Sequence, residues 1–331
     1  MSLKRLYFEF VKKHKFFIND EEEIDLLLNS YWYSSLSQIE KQEINEWIIY
    51  SSTISSQTSR LIIENTPSEN TLTLPEAIKY LEQPFKIIVE NVLNDSYFLD
   101  CLIQNFRKQT KNIVHFKSER WLMYENGGGT TIPHVIDATK KSFNGKLFSK
   151  PSSFYLRYFV IIDSDKKYPD MELPQSKKEL IKYLEDNDVP YKILEKREME
   201  NYLPVSILEK EISDNQDFIR AFSRLNPIQK DYFDIENGFP NKNFKDLDGN
   251  LKDFFSGISD EDYGVLRSFN LKSLNGGKDN FKSEFPKLFE SDKIDREMLL
   301  NQCSHHSDTK SKSPYDRLEL PNLLIQIDKL L

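Results

Sequence analysis

Of 331 residues only two are cysteines, Cys101 and Cys303, which excludes a disulfide-built scaffold. Neither stands at the Cys/His spacing of a zinc site, and Cys101, set among apolar residues, reads as a buried thiol. No apolar run approaches the ~20 residues that a membrane helix needs. The opening stretch MSLKRLYFEFVKKHKFF is broken by charge throughout, unlike a secretory leader, so the expectation is a cytoplasmic chain with no membrane partner. Glycine is scarce, at 10 residues. None of them falls in a G-x-G-x-x-G or G-x-x-x-x-G-K-[ST] pattern, so neither dinucleotide nor P-loop binding follows. A basic excess is missing as well. Lys and Arg number 45 against 53 Asp and Glu, a net charge of −8, so the overall electrostatic footprint of a nucleic-acid binder is absent. Acidity does not exclude such a partner, because a cation held by carboxylates can bridge to phosphate.

What the chain does have is apolar substance. Hydrophobic residues make up 38% and aromatics 13%, with 23 Phe and 16 Tyr, enough for a packed core and against general disorder. The length allows one large or two modest domains. Residues 1–64 keep a three/four apolar spacing (Leu3, Leu6, Tyr7, Phe10, Val11) and meet no proline or glycine before Pro67, which predicts two or three amphipathic helices. Thr66–Leu74 reads as a linker, and Pro75–Leu81 as a short helix. From Pro84 the pattern alternates. Strands are predicted at Lys86–Val89, Trp121–Tyr124, Tyr155–Ile162 and Tyr191–Leu194, with an extra one at Asn112–Phe116. Helices are predicted at Asp95–Lys108, Pro133–Lys141 and Glu172–Asn187. This is an α/β pattern with a mostly parallel sheet. After Pro204 the chain reads as largely helical, ending in a docked helix at Pro321–Leu331. The predicted divisions are therefore a helical region at 1–74, an α/β domain at 75–204 and a helical extension at 205–331. His305-His306 lies in a Ser/Lys/Asp-rich stretch and reads as surface loop.

The chemistry concentrates where the predicted strands end. FVIIDSD, Phe159–Asp165, is an apolar run closing in Asp163 and Asp165. Alternate residues of an extended chain share a face, so both can meet one cation past the strand, at the sheet edge where α/β proteins bind ligands. KIIVE ends likewise in Glu90 at a strand-to-helix corner. YKIL runs into EKREMENYLP, bringing Lys196, Arg197, Glu198 and Glu200. Aspartates and glutamates are hard oxygen ligands suited to Mg²⁺ or Mn²⁺. Each element also has a plainer reading. DSD suits a solvated turn, and Glu198 and Glu200 suit a first helical turn. The stretch Gly127-Gly128-Gly129-Thr130-Thr131 would let backbone N–H groups approach a phosphate, or would simply make a tight turn needing positive φ.

Glu90 after IIV, a later DxD after an apolar strand and a glycine-rich turn between them resemble the TOPRIM domain, shared by topoisomerases, bacterial primases and overcoming-lysogenisation-defect (OLD) nucleases. LEKREMENYLP looks most like the OLD-type branch and related stand-alone effectors of bacterial antiphage defence. The resemblance runs from about Pro84 to Pro204. It implies a TOPRIM-like Rossmannoid sheet and a divalent-metal-dependent nuclease. Glu90, Asp163, Asp165 and Glu200 would be catalytic and metal-binding, with Asp95 a further metal ligand. Glu90 or a metal-bound hydroxide would serve as base. Gly128, Gly129, Thr130, Lys196 and Arg197 would lie against phosphate, and Lys278, in the turn Leu274–Lys278, would steady transition-state charge unless it is an ordinary turn lysine. Two positions depart from the family pattern: Asn91 stands where Gly is usual, and Asn94 stands where a second acid is common, with Asp95 one residue on. OLD proteins carry an ATPase ahead of TOPRIM, but this chain has no P-loop. The implied partners are therefore nucleic acid, DNA in preference to RNA, and a separate sensor or ATPase subunit or a second copy. The alternatives are an RNase acting on tRNA through the same metal site, and a non-catalytic TOPRIM module serving as a binding subunit.

Overall fold

The computed structural model describes residues 2–10, 14, 18, 21–52, 61–66, 68–69, 71–108, 110–128, 130–212, 215–267, 284–303 and 318–331. Lys278, Gly129 and His305-His306 lie outside these residues. Contacts divide the chain into two units, one of residues 1–84 with 143–155, the other of 85–142 with 156–331.

In the first unit the described residues hold four helices where two or three were expected: α1 (Ser2–Phe10), α2 (Glu21–Leu28), α3 (Tyr31–Ser34) and α4 (Gln38–Ser52). Tyr7 packs its ring 5.3 Å from those of Trp32 and Trp47. The predicted linker is instead ordered. Strands β1 (Ile62–Ile63) and β2 (Thr71–Leu72) pair in parallel, with Leu72 fully buried. Helix α5 (Leu74–Glu82) follows, its start closed by the reciprocal hydrogen bonds of Thr73 and Glu76 and by Pro75, whose missing N–H is harmless there. The buried Glu76 also accepts from Tyr155 Oη at 2.8 Å. Tyr155, in a 3-10 turn (Ser152–Tyr155), thus belongs to this unit. The division therefore falls at Pro84 rather than at 74.

The second unit is built on a four-stranded, wholly parallel sheet of β3 (Phe85–Val89), β4 (Leu122–Asn126), β5 (Tyr158–Ile162) and β6 (Tyr191–Ile193), ordered β4-β3-β5-β6. Period-two alternation splits its side chains between two cores. Ile87, Val89, Phe159 and Ile161 face α6 (Val92–Asn105) and α7 (Lys111–Ser118). Ile88, Val160 and Ile162 face α8 (Ile132–Ser142) and α9 (Gln175–Asp186). Both faces are covered, so β5 is buried at every position, as an α/β sheet requires. Residues 112–116 are helical rather than extended, within α7, because Ile113 and Phe116 are buried at helical spacing.

Beyond β6 come a 3-10 turn (Met199–Tyr202) and α10 (Val205–Glu211), α11 (Gln216–Arg224), α12 (Pro227–Tyr232), α13 (Gly249–Phe254), α14 (Asp260–Arg267), α15 (Arg296–Leu300) and α16 (Glu319–Asp328). Phe218, Phe222, Leu323 and Ile327 of these helices, and Phe233, Phe239 and Phe255 between them, share one core with the α6 face of the sheet. The boundary predicted at 204 is therefore not a division of the fold. Among the described residues no helix is long and apolar enough to cross a membrane.

Candidate functional site

Strand β4 lies on one side of β3, and the next strand in sequence, β5, lies on the other. The carboxyl ends of β3 and β5 thus flank a topological switch point, where the loops diverge and leave a crevice. Glu90 follows β3, and Asp163 to Asp165 follow β5. The pairing of Ile88 with Val160 sets the two acid-bearing ends side by side.

Each end is fixed by backbone bonds. Past Glu90, Asn91 caps α6, its Oδ1 accepting from Leu93 N–H at 3.2 Å, while Asp95 Oδ2 accepts from Asn91 N–H at 2.7 Å. The departure from glycine at Asn91 is thereby explained as a helix cap. The glycine turn closes over the same corner: Gly127 N–H donates to Val89 O at 2.7 Å. A Cβ on Gly127 would come within 2.5 Å of Ile132 Cγ1 and Ile88 Cγ2, and one on Gly128 within 3.2 Å of Glu90 O. Neither glycine has positive φ, so close packing rather than a left-handed turn calls for them. Past β5, Ser164 Oγ donates to Lys196 O at 2.7 Å, Asp165 N–H donates to Arg197 O at 3.0 Å, and Arg197 N–H to Asp231 O at 2.9 Å. These bonds hold Asp165 in the left-handed region, at φ 53°, which aspartate tolerates better than most residues.

The predicted acids come together electrostatically. Burial, and then the charges of Glu90, Asp95, Glu200 and Glu198, hold the Asp163 carboxyl well above the usual carboxylate range. Its Oδ1 is buried and has no hydrogen-bond partner among the described residues. Burial raises Asp95 to about 7, against the pull of the Asn91 N–H bond and with the push of Glu200 and Glu90. Glu198 rises to about 8, chiefly through burial, with Arg197 opposing and Glu200, Asp234 and Asp165 adding. An unsatisfied buried carboxylate oxygen amid further carboxylates is the donor chemistry of a hard divalent cation. Among the described residues, however, no three acidic, His or Cys side chains converge closely enough to hold an ion as they stand. Instead the ammonium of Lys177, on α9, contacts Glu90 Oε1 and lies 3.0 Å from Asp165 Oδ2.

Lys177 is the member that strand-end reasoning leaves out, whereas Glu198 is delivered by a strand end but not assigned to the site. A signal for Lys177 existed. It shares a helical stripe with Leu180 and Leu184, at i+3 and i+7, so it belongs to the inward face, and its side chain is only 11% exposed. The Lys177-Lys178 pair otherwise resembles a solvated patch.

Two expected phosphate contacts are corrected. Lys196 is 1% exposed, its ammonium bound to Asp231 at 2.8 Å and to Asn201 O at 2.9 Å, 5.0 Å from the centre of the Tyr202 ring. It is a core cation, unable to reach a phosphate. Arg197 spends its guanidinium on Asp234 at 2.7 Å and Glu198 at 3.2 Å. Thr130 is exposed and Gly128 half-buried beside the crevice. Behind the Met199–Tyr202 turn lies a cavity of about 300 Å³ lined by Val205, Phe222, Lys230 and Met298 among others; none of the clustered acids lines it. No protein-family model, curated protein or solved structure matches this chain.

Proposed function

We propose that the chain is a TOPRIM-like, divalent-metal-dependent nuclease, acting on DNA and serving as the effector of a bacterial antiphage defence system under a partner sensor or ATPase. The observation that carries this reading is Asp163: a carboxylate whose buried Oδ1 has no hydrogen-bond partner among the described residues, at the switch point of a parallel sheet, amid Glu90, Asp95, Glu198 and Glu200. A site of that kind is expensive without a cation. Glu90, Asp95, Asp163, Asp165 and Glu200 would hold Mg²⁺ or Mn²⁺. When bound, the ion supplies charge compensation at the phosphate and a more acidic water. The chain's own residues do the rest. Glu90, which follows β3, would accept the proton of attacking water. The Asp165 N–H bond to Arg197 O and the Ser164 Oγ bond to Lys196 O brace the acid loop. Lys177 brings positive charge to the phosphate side of the site.

A second reading has one observation in its favour. Lys177 already pairs with Glu90 and Asp165, as the acids of a non-catalytic binding module would be paired. Incubating the pure protein with plasmid, linear DNA and total RNA, in Mg²⁺, Mn²⁺ or EDTA, separates the readings. Cation-dependent cleavage of DNA supports the first, cleavage confined to RNA assigns the RNase variant, and no cleavage in any arm favours the binding module.

A further inference from the structure

We propose that Lys177 is the site's own cation in the metal-free protein, and that a divalent ion binds by displacing the Lys177 ammonium from Glu90 and Asp165. The proposal rests on the metal-site reading above and goes beyond it, since it assigns the competitor that sets the site's affinity. Three observations carry it. First, the ammonium joins carboxylates delivered by two different strands, Glu90 after β3 and Asp165 after β5, the pair that an ion at the switch point would join. Second, it is nearly buried, at 11% exposure, on the apolar stripe of α9, so it is a fixed resident rather than a wandering surface lysine. Third, one positive charge leaves the group unsatisfied, because Asp163 Oδ1, surrounded by the charges of Glu90, Asp95, Glu198 and Glu200, has no partner among the described residues. A divalent ion brings twice the charge and several coordination positions, where an ammonium offers only three donors. The way out is open: Asp165 is 39% exposed, and a four-carbon lysine stem can swing its head toward water while its methylenes stay against Leu180. Once displaced, the ammonium stands at the rim of the crevice, where a phosphate would meet it.

The test is calorimetric titration of the full-length protein with Mn²⁺, comparing wild type, Lys177→Met, Lys177→Gln and Asp163→Asn, each first checked for native circular dichroism. Removing the competitor should tighten Mn²⁺ binding by about tenfold or more in both Lys177 variants, the factor that one forfeited ion-pair contact converts to, whereas Asp163→Asn should weaken it. A second measurement needs no variant. Brief treatment of wild type with an amine-acetylating reagent, followed by peptide mass spectrometry, should modify Lys177 severalfold faster with Mn²⁺ than with EDTA. Equal or weaker Mn²⁺ binding in both Lys177 variants, or Lys177 acetylation that does not rise with Mn²⁺, overturns the displacement while leaving a metal site in place if Asp163→Asn still weakens binding. Absence of Mn²⁺ binding in every protein overturns the displacement and the metal reading together.

Discussion

Replacing Asp163 by Asn removes one negative charge from the acid group while keeping the side chain's shape. In the folded protein Asp163 is held well above its ordinary value of 3.8, and Asp95 sits at about 7 against the same 3.8. Groups raised in this way bind protons more tightly folded than unfolded. Their stabilising contribution is complete below about pH 4 and is lost as pH climbs through the folded values. For Asp95 alone the rise spans about three pH units, an upper bound of about 4 kcal/mol at roughly 1.4 kcal/mol per unit. That penalty is shared among coupled neighbours, so relief on removing the Asp163 charge is set at about 1–3 kcal/mol at pH 8 and near zero at pH 4. At roughly 2–4 °C per kcal/mol for chains of 150–250 residues, and less for a longer one, Asp163→Asn should melt about 2–6 °C higher than wild type at pH 8 in EDTA. The two should melt together at pH 4. Saturating Mg²⁺ should reverse the order, because an ion at a hundredfold its Kd adds about 2.7 kcal/mol to wild type and much less to the variant. Differential scanning calorimetry across pH, with and without Mg²⁺, measures all of this. A carboxylate with a structural partner behaves oppositely: its loss would cost about 3–5 kcal/mol at pH 8 with or without Mg²⁺. Asp163→Asn melting below wild type at pH 8 in EDTA, or an equal Mg²⁺ shift in both proteins, would refute the reasoning.

Other perturbations have distinct signatures. Glu90→Gln should cut Mg²⁺-dependent cleavage by about 10²-fold or more, the range of a lost general base, without loss of native circular dichroism. Lys196→Ala should cost about 3–5 kcal/mol by removing one member of a buried ion pair, and urea melts should show most of that recovered in Lys196→Met/Asp231→Leu. Gly127→Ala should cost about 1–3 kcal/mol from its clash with Ile132 and Ile88, whereas Gly145→Ala, with open space around it, should melt like wild type. Tyr202→Phe removes the hydroxyl that donates to buried Glu319 at 2.6 Å, and thermal melts should record a loss of about 1–3 kcal/mol.

The centre of the sheet was legible because β3 and β5 are short β-branched or aromatic runs buried almost throughout, and such runs leave a mark that needs no knowledge of neighbours. KIIV and FVII are of this kind. The same runs end in Glu90, Asp163 and Asp165, so those acids could be read together. What escaped depends on which side chains meet across long separations. Lys196 stands between the acid Glu195 and the basic Arg197 and looks like a surface residue, yet Asp231, on α12, draws it into the core. The boundaries at 74 and 204 followed polarity, but Leu72 is fully buried and the phenylalanines of α11 and beyond close over the sheet. Local polarity marks what is wet before packing, not which segments share a core afterward.

The acids of the crevice come from the ends of three strands, and the loop carrying two of them is stitched to backbone at Arg197 and onward to Asp231. Contacts so distant along the chain must be closed against loop entropy before they return anything. The charges therefore meet only when the sheet and α12 are already together, and their mutual repulsion is a late cost of folding. A nascent chain short of residue 231 would carry every one of the clustered acids without the contact that seats them, so the crevice cannot be assembled ahead of the fold that contains it.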